Sequence, residues 1–137
     1  LDVSSISTST ITVGSGGASV SATTGNAGGL SSWADGTNTI TGSGGSGANN
    51  TAYTACAGGA ASGGDINITG SWSSWYSGNG AQGDSGLGKG GGIGDSNAAA
   101  PRADATGYGA GGRGMVYTTS VASGAGGGGI IIVWEYK

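Results

Sequence analysis

Apolar and polar residues alternate in several short stretches of the chain, and this alternation predicts strands. Residues 9–13 (STITV) place Ile11 and Val13 on one face, and residues 38–41 and 65–69 (DINIT) repeat the pattern in miniature. A period of two is typical of a strand that turns one face inward. We therefore predict three short strands in the first half of the chain.

The strongest strand candidate is the run at residues 130–136 (IIIVWEY). Its alternate positions divide into two faces, one with Ile130, Ile132, Trp134 and Tyr136 and the other with Ile131, Val133 and Glu135. Because the first four residues are apolar on both faces, the pattern predicts a strand buried on both sides. We expect this strand to close the fold and to place Trp134 in the core.

Helical periodicity is missing from the sequence. The short alanine run at residues 98–100 ends at Pro101, which cannot continue a helix. The 137 residues fit a single domain. The pattern predicts one all-β domain over residues 1–137, with much irregular structure and no helices.

Composition changes this picture, because the chain is poor in the side chains that build a core. Leu, Ile, Val and Phe together supply about 13% of the residues, below the roughly 20% at which disorder becomes a serious interpretation. Disorder also needs high net charge, whereas only 8% of the residues are charged and the net charge is −3. Some other kind of packing must hold the chain together.

Glycine is the candidate for that packing, with 35 residues in recurring clusters. The clusters follow no Gly-X-Y period and Pro101 is the only proline, which excludes a collagen triple helix. Extended or polyproline-II-like segments without side chains can approach closely and bond backbone to backbone. Aromatic residues punctuate the clusters, which a flexible linker has no reason to contain. We therefore expect closely packed glycine segments rather than a linker.

The inventory of chemically active side chains is small. The chain has no histidine, its single cysteine is Cys56, and its four basic residues are scattered. We expect no metal, no cofactor, no nucleic-acid partner and no enzymatic activity. No run of about 20 apolar residues suggests membrane insertion. Residues 83–90 (GDSGLGKG) are similar to a phosphate-binding loop, but Gly90 replaces the Ser or Thr that would hold Mg²⁺.

Five of the six aspartates are spread through the glycine-rich sequence: Asp35, Asp65, Asp84, Asp95 and Asp104. Two carboxylates about 5–9 Å apart can hydrolyse a glycan. Aspartate in glycine turns more often accepts hydrogen bonds from backbone N–H groups, and we favour that role here.

Aromatic side chains carry the binding hypothesis. Trp72, Trp75 and Tyr76 lie within five residues of each other in the serine-flanked run SWSSWYS. Such rings stack on sugar faces and anchor protein interfaces. A run of this kind cannot turn every ring inward, although the same residues could also fill a small core. The full set of candidate receptor-binding residues is Trp33, Tyr53, Trp72, Trp75, Tyr76 and Tyr117.

Five glycine motifs in order resemble a known family. They are a strand end with V-G-x-G-G at residues 12–17 (TVGSGG), G-N-x-G-G-x-S-S at 25–32, G-G-D-x-N-x-x-G at 63–70, G-Y-G-A-G-G-x-G at 107–114 and G-A-G-G-x-G-I-I-I-V-x-E-Y at 124–136. Their order and spacing resemble the glycine-rich C-terminal domain of phage and prophage tail fibre or tail tip proteins. Residues 71–77 and 116–121 depart from that pattern and resemble inserted loops.

This resemblance implies a virion protein at the tip of a tail fibre, a homotrimer or a module attached to a trimeric shaft. Loops between the glycine motifs would bind a bacterial polysaccharide or outer-membrane protein. A different class of function stays open, that of a purely structural cap that closes or trimerises the fibre. An ice-binding role is disfavoured, because the regular repeat that a flat ice-binding face needs is missing.

Overall fold

The structure is a computed structural model that describes residues 4–21, 23–47, 56–73, 75–76, 79–80, 83, 85, 87–90, 103–113 and 122–134. Short antiparallel strands and long irregular segments make up these residues, and no helix occurs among them. The prediction of an all-β fold with much irregular structure is confirmed.

Four strands form the main sheet, in the order β1-β2-β3-β4. They are β1 (Thr10–Thr12), β2 (Ser31–Ala34), β3 (Thr39–Gly42) and β4 (Ala61–Ser62). The register sets Trp33 opposite both Ile11 and Ile40, so these three side chains share one face. The other face carries threonine and serine, with a hydrogen bond of 2.7 Å between the hydroxyl groups of Thr41 and Ser62.

Two further antiparallel pairs are short. Strand β5 (Trp75–Tyr76) pairs with β6 (Asn79–Gly80), and β7 (Gly88–Lys89) pairs with β8 (Thr106–Gly107). Each consists of two residues per strand, too few to be stable alone. They depend on the glycine-rich segments beside them.

The glycine-rich segments bond to each other with a period of three residues. The N–H groups of Ser123, Gly126 and Gly129 donate to the carbonyl oxygens of Val20, Gly17 and Gly14, at 2.8, 2.9 and 2.8 Å. Between these positions, the N–H groups of Gly124 and Gly127 donate in another direction, to Arg113 and Ala110, both at 2.8 Å. A strand would alternate with a period of two. A period of three residues is the symmetry of polyproline II, as the glycine content predicts.

The same period recurs in the other segments. Ser43 and Ser46 donate from their N–H groups to Ala60 and Ala57, while Gly44, between them, donates to Gly29. Gly70 and Ser73 bond in the same way to Gly59 and Cys56. Adjacent segments are antiparallel, and several, such as residues 14–20 and 56–60, are bonded to neighbours on two sides. Hydrogen bonds between backbone groups therefore hold the segments of the fold together.

Glycine is required in these segments because the backbones approach too closely for a Cβ atom. A Cβ on Gly44 would overlap the backbone of Gly28, and one on Gly14 would overlap that of Gly29. Neither residue has a positive φ, so space rather than backbone conformation excludes a side chain. Gly63 combines both demands: it has φ 83° and approaches Thr39 closely.

Side chains contribute little to the core of the described residues. Ala110, 3% exposed, is the buried apolar residue, and Ser73, 8% exposed, is the buried polar one. The interior consists of hydrogen-bonded peptide groups.

Two predicted strands are wrong. Residues 65–69 form no strand, because Asn67 folds back on the preceding turn: its Oδ1 accepts from the Gly64 N–H at 3.1 Å and its Nδ2 donates to the Gly64 carbonyl at 2.7 Å. Residues 130–134 form no strand either, and they are not buried. Ile130, Ile132, Val133 and Trp134 are exposed, Trp134 to 77%.

The physical reason for the second error is that this run meets no strand partner among the described residues. Gly129 still bonds to Gly14, but no backbone hydrogen bond joins residues 130–134 to any other described residue. The alternation of side chains indicated a segment able to pair as a strand. The sequence did not indicate which segment would pair with it. Tyr136, the last member of the predicted face, lies outside the described residues.

Candidate functional site

The glycine-rich segments run between two ends of the molecule. Gly14 and Ser43 follow closely on β1 and β3, so we call this the sheet end. The segments finish at the other end with Val20 and Gly47, which meet Ser123 and Gly25 there. At about 3.1 Å per residue, the six residues from Gly14 to Val20 separate the two ends by roughly 19 Å.

Four described residues define the second end, which we call the loop end: Val20, Gly47, Ser73 and Arg113. Each is the last described residue of its segment, or close to it, before a longer connection in the sequence. This end is the natural location for a binding surface built on a rigid base.

Serine hydroxyl groups fix the backbone at the loop end. Ser73 donates from its N–H to the Cys56 carbonyl at 3.1 Å, and its Oγ accepts from the Cys56 N–H at 2.9 Å. Ser123 and Val20 exchange bonds in the same way, at 2.8 and 3.1 Å. Two paired polyproline-II-like segments form only one backbone hydrogen bond at such a site. The serine hydroxyl oxygen accepts the second hydrogen bond, from the N–H group of the neighbouring segment. Each exchange satisfies an N–H group that would otherwise lack a partner.

The sequence analysis did not single out these serines. Ser43 and Ser46 make the same exchange with Ala60 and Ala57, with both N–H groups of the alanines 2.9 Å from the serine Oγ atoms. Their separation of three residues matches the polyproline-II period. A search for serine at three-residue spacing beside glycine clusters would have found this pair.

Trp72 is more accessible than Trp33, the other candidate binding residue whose burial the structure describes. Its side chain is 71% exposed, while the next residue, Ser73, is buried and doubly bonded to Cys56. An exposed indole on a fixed backbone loses little conformational entropy when it binds a ligand. Its flat apolar face suits a sugar ring or an apolar protein surface.

Trp75 and Tyr76 follow at the same end of the molecule. Both lie in β5, where Trp75 pairs with Gly80 and Tyr76 with Asn79 of β6. They follow Ser73 by two and three residues in the chain, which places them at the loop end. Tyr53 and Tyr117 lie outside the described residues.

Trp33 is not part of this group. It lies in β2 at the sheet end, half-buried between Ile11 and Ile40 of the neighbouring strands. The structure therefore brings Trp72 and the Trp75–Tyr76 strand to one end and leaves Trp33 at the other.

Two of the described carboxylates, Asp35 and Asp104, accept hydrogen bonds from backbone N–H groups. Asp35 closes the β2–β3 turn, where its Oδ1 accepts from the N–H groups of Thr37 and Asn38 at 2.8 and 2.6 Å. The Asn38 side-chain amide donates to Oδ2 at 3.0 Å. That bond, followed by the two backbone bonds, lowers the pKa of Asp35 below its usual value of 3.8. Asp104 accepts from the Ala125 N–H at 2.7 Å. The two carboxylates serve different segments, and Asp84 and Asp95 lie outside the described residues.

Within the part of the chain that the structure describes, no cluster of cysteine and carboxylate side chains is arranged to hold a metal ion. The same residues contain no helix long and apolar enough to cross a membrane. Protein-family models, curated proteins and solved structures were all compared with the chain, and none matches.

Proposed function

We propose that the chain is a non-enzymatic module from the tip of a phage or prophage tail fibre that binds a bacterial surface receptor. The observation that carries this proposal is the exposed Trp72 beside the bonded Ser73–Cys56 pair at the loop end. The order of the five glycine motifs supports the choice of a tail fibre. The receptor is a polysaccharide or an outer-membrane protein, recognised by shape and stacking.

The arrangement of the scaffold supports a role in recognition. A polypeptide whose backbone is fixed by neighbouring backbones tolerates few substitutions inside the segments, as the close approach at Gly44 illustrates. Loops that connect rigid elements generally tolerate substitution better than the elements themselves. A fibre tip of this design can change its receptor contacts while keeping its base constant.

The experiment is a binding measurement with the purified, labelled chain on bacterial cells, before and after removal of surface polysaccharide. We expect saturable binding, and Trp72→Ala to weaken it by about 10- to 30-fold, the effect of losing an aromatic anchor at an interface. Trp75→Ala is expected to act in the same direction and to leave folding intact. Loss of binding on stripped cells would identify the receptor as a glycan.

Tyr108→Ala is the matched control, because Tyr108 is an exposed aromatic side chain at the sheet end. We expect it to bind as the unsubstituted chain does. Equal weakening by both substitutions would contradict a binding surface at the loop end. A well-folded chain that binds no bacterial host would instead favour the structural cap, the other function that the sequence allows.

A further inference from the structure

Four glycine-rich segments lie side by side and are joined by backbone hydrogen bonds; they are residues 25–30, 43–47, 56–60 and 70–73. Because each is antiparallel to the next, one bond between two segments fixes which of their residues lie at the same level. Side chains three residues apart project from the same side of a polyproline-II segment. Within residues 56–60, Ala57 and Ala60 are exposed in this way, and the three others are partly buried.

Trp72 lies at the same level as Ala57. The N–H group of Ser73 donates to the carbonyl oxygen of Cys56 at 3.1 Å, so the residue before Ser73 lies beside the residue after Cys56. The carbonyl oxygen of Ala57 accepts from the Ser46 N–H group at 3.0 Å, which places Ser46 at this level in the next segment. Trp72, Ala57 and Ser46 are all exposed.

The fourth segment continues this level. The N–H group of Gly28 donates to the carbonyl oxygen of Gly45 at 3.1 Å, so Ala27 lies beside Ser46, and Ala27 is also exposed. Backbones joined by such bonds lie about 4.8 Å apart, so the three steps across the four segments cover roughly 14 Å. We call the four residues at this level the transverse row: Trp72, Ala57, Ser46 and Ala27.

Small uncharged side chains make the transverse row flat beside the indole. Ala57 and Ala27 present methyl groups. The Oγ of Ser46 accepts from the Ala57 N–H group at 2.9 Å and donates to the Ala57 carbonyl oxygen at 3.3 Å, so this hydroxyl is held against the neighbouring backbone. The row is therefore a weakly polar strip that begins at an exposed aromatic ring.

The size and charge of the transverse row indicate its ligand. A protein partner buries about 800 Å² on each side of a standard interface, far more than a strip one residue wide can supply. A saccharide chain is narrow enough for the strip, and its flat ring faces stack on an indole. Carboxylate or phosphate groups on the sugar would call for Arg or Lys, and the row contains neither.

We propose that the transverse row is a glycan subsite, in which an uncharged saccharide chain stacks one ring on Trp72 and continues across Ala57 and Ser46 towards Ala27. This inference rests on the proposed function and narrows its receptor to a neutral polysaccharide. Ala57 then determines specificity, because a longer side chain there would lift the saccharide off the strip.

Ala57→Gln tests the subsite in a titration of the labelled chain on bacterial cells. We expect the Kd to rise about 10-fold through loss of contact along the strip, with an unchanged melting temperature because Ala57 is exposed. Ala27→Gln tests the row from another segment and should raise the Kd about 3-fold. Ala103→Gln is the matched control, because Ala103 is exposed and its carbonyl oxygen bonds to Arg113, outside the four segments. It should bind as the unsubstituted chain does.

Two further measurements test the class of ligand. Neutral polysaccharide purified from the surface of the same cells should compete for binding. Salt between about 50 and 500 mM should leave the Kd unchanged, because no ion pair forms for it to screen.

The subsite and the proposed function fail in different ways. Unchanged binding by both Ala57→Gln and Ala27→Gln, binding that survives removal of polysaccharide, or a Kd that rises steeply with salt would overturn the glycan subsite. Weaker binding by Trp72→Ala in the same experiment would still support receptor binding at the loop end. An unsubstituted chain that binds no cells would overturn the proposed function, and the subsite with it.

Discussion

Gly44 shows at the scale of one residue why this chain needs so much glycine. Its backbone φ is open to any amino acid, yet the space that a Cβ would occupy is filled by the backbone of Gly28. Gly42, two residues earlier in β3, has no heavy atom within 4 Å of the same position. Packing therefore requires glycine at position 44 and does not require it at position 42.

This contrast gives a matched pair of substitutions. Gly44→Ala should destabilise the fold by about 2 kcal/mol or more, because the added methyl group forces two backbones apart. Gly42→Ala should be neutral or stabilise by up to about 1 kcal/mol, because it restricts the unfolded chain without a clash. Chemical denaturation of both variants measures the difference. Equal effects would contradict packing as the reason for glycine at position 44.

Ser73 illustrates what holds neighbouring segments together at the scale of an element. Its Oγ accepts the N–H of Cys56 at 2.9 Å in a site where Ser73 is only 8% exposed. We expect Ser73→Ala to cost about 1–3 kcal/mol, because it leaves a backbone N–H without an acceptor in a site closed to water.

Ser62→Ala is the control for that substitution. Its hydroxyl bonds to that of Thr41 at 2.7 Å, but the pair is exposed and water can replace either partner. We expect a loss below about 1 kcal/mol, again from denaturation midpoints. If the two serines cost the same, the exchange at Cys56 is not what fixes the loop end.

The elements also show how far sequence reasoning reaches. Strands β1 and β3 lie within one residue of the predicted runs at 9–13 and 38–41, because threonine and isoleucine alternate there and partners are close in the chain. Strand β2 (SSWA) carries no such signal and forms because β1 and β3 pair with it on both sides. Residues 65–69 were misjudged because the Asn67 turn outweighs the alternation of Ile66 and Ile68.

The candidate site could be predicted only in part. Trp72 is exposed, as the crowding of aromatics in SWSSWYS indicates. The placement of Trp33 at the other end depends on the register of β2 against β1 and β3, which no local pattern specifies. The serine exchanges depend on which segments become neighbours, and glycine clusters of such similar composition do not encode that choice.

At the scale of the whole molecule, folding buries peptide groups in place of apolar side chains. Ala110 is the buried apolar residue of the described chain, and the large apolar residues stay at least partly in water. Apolar exposure on unfolding raises the heat capacity and polar exposure lowers it. We therefore expect a heat-capacity change of unfolding well below the usual 12–15 cal/mol/K per residue.

Scanning calorimetry of the purified chain measures this change. An ordinary value for a chain of this length would mean that side chains contribute a conventional core, contrary to the burial described above.

An interior built from glycine-rich backbone has a consequence for the stability of the protein at low temperature. In most proteins the stability curve is a dome that falls at low temperature, because the contribution of apolar hydration fades on cooling. With little apolar surface removed from water, the dome flattens towards a straight line, and stability continues to rise as the temperature drops. A backbone bonded to its neighbours every third residue would then be at its most rigid near freezing, where proteins with hydrocarbon cores have already begun to weaken.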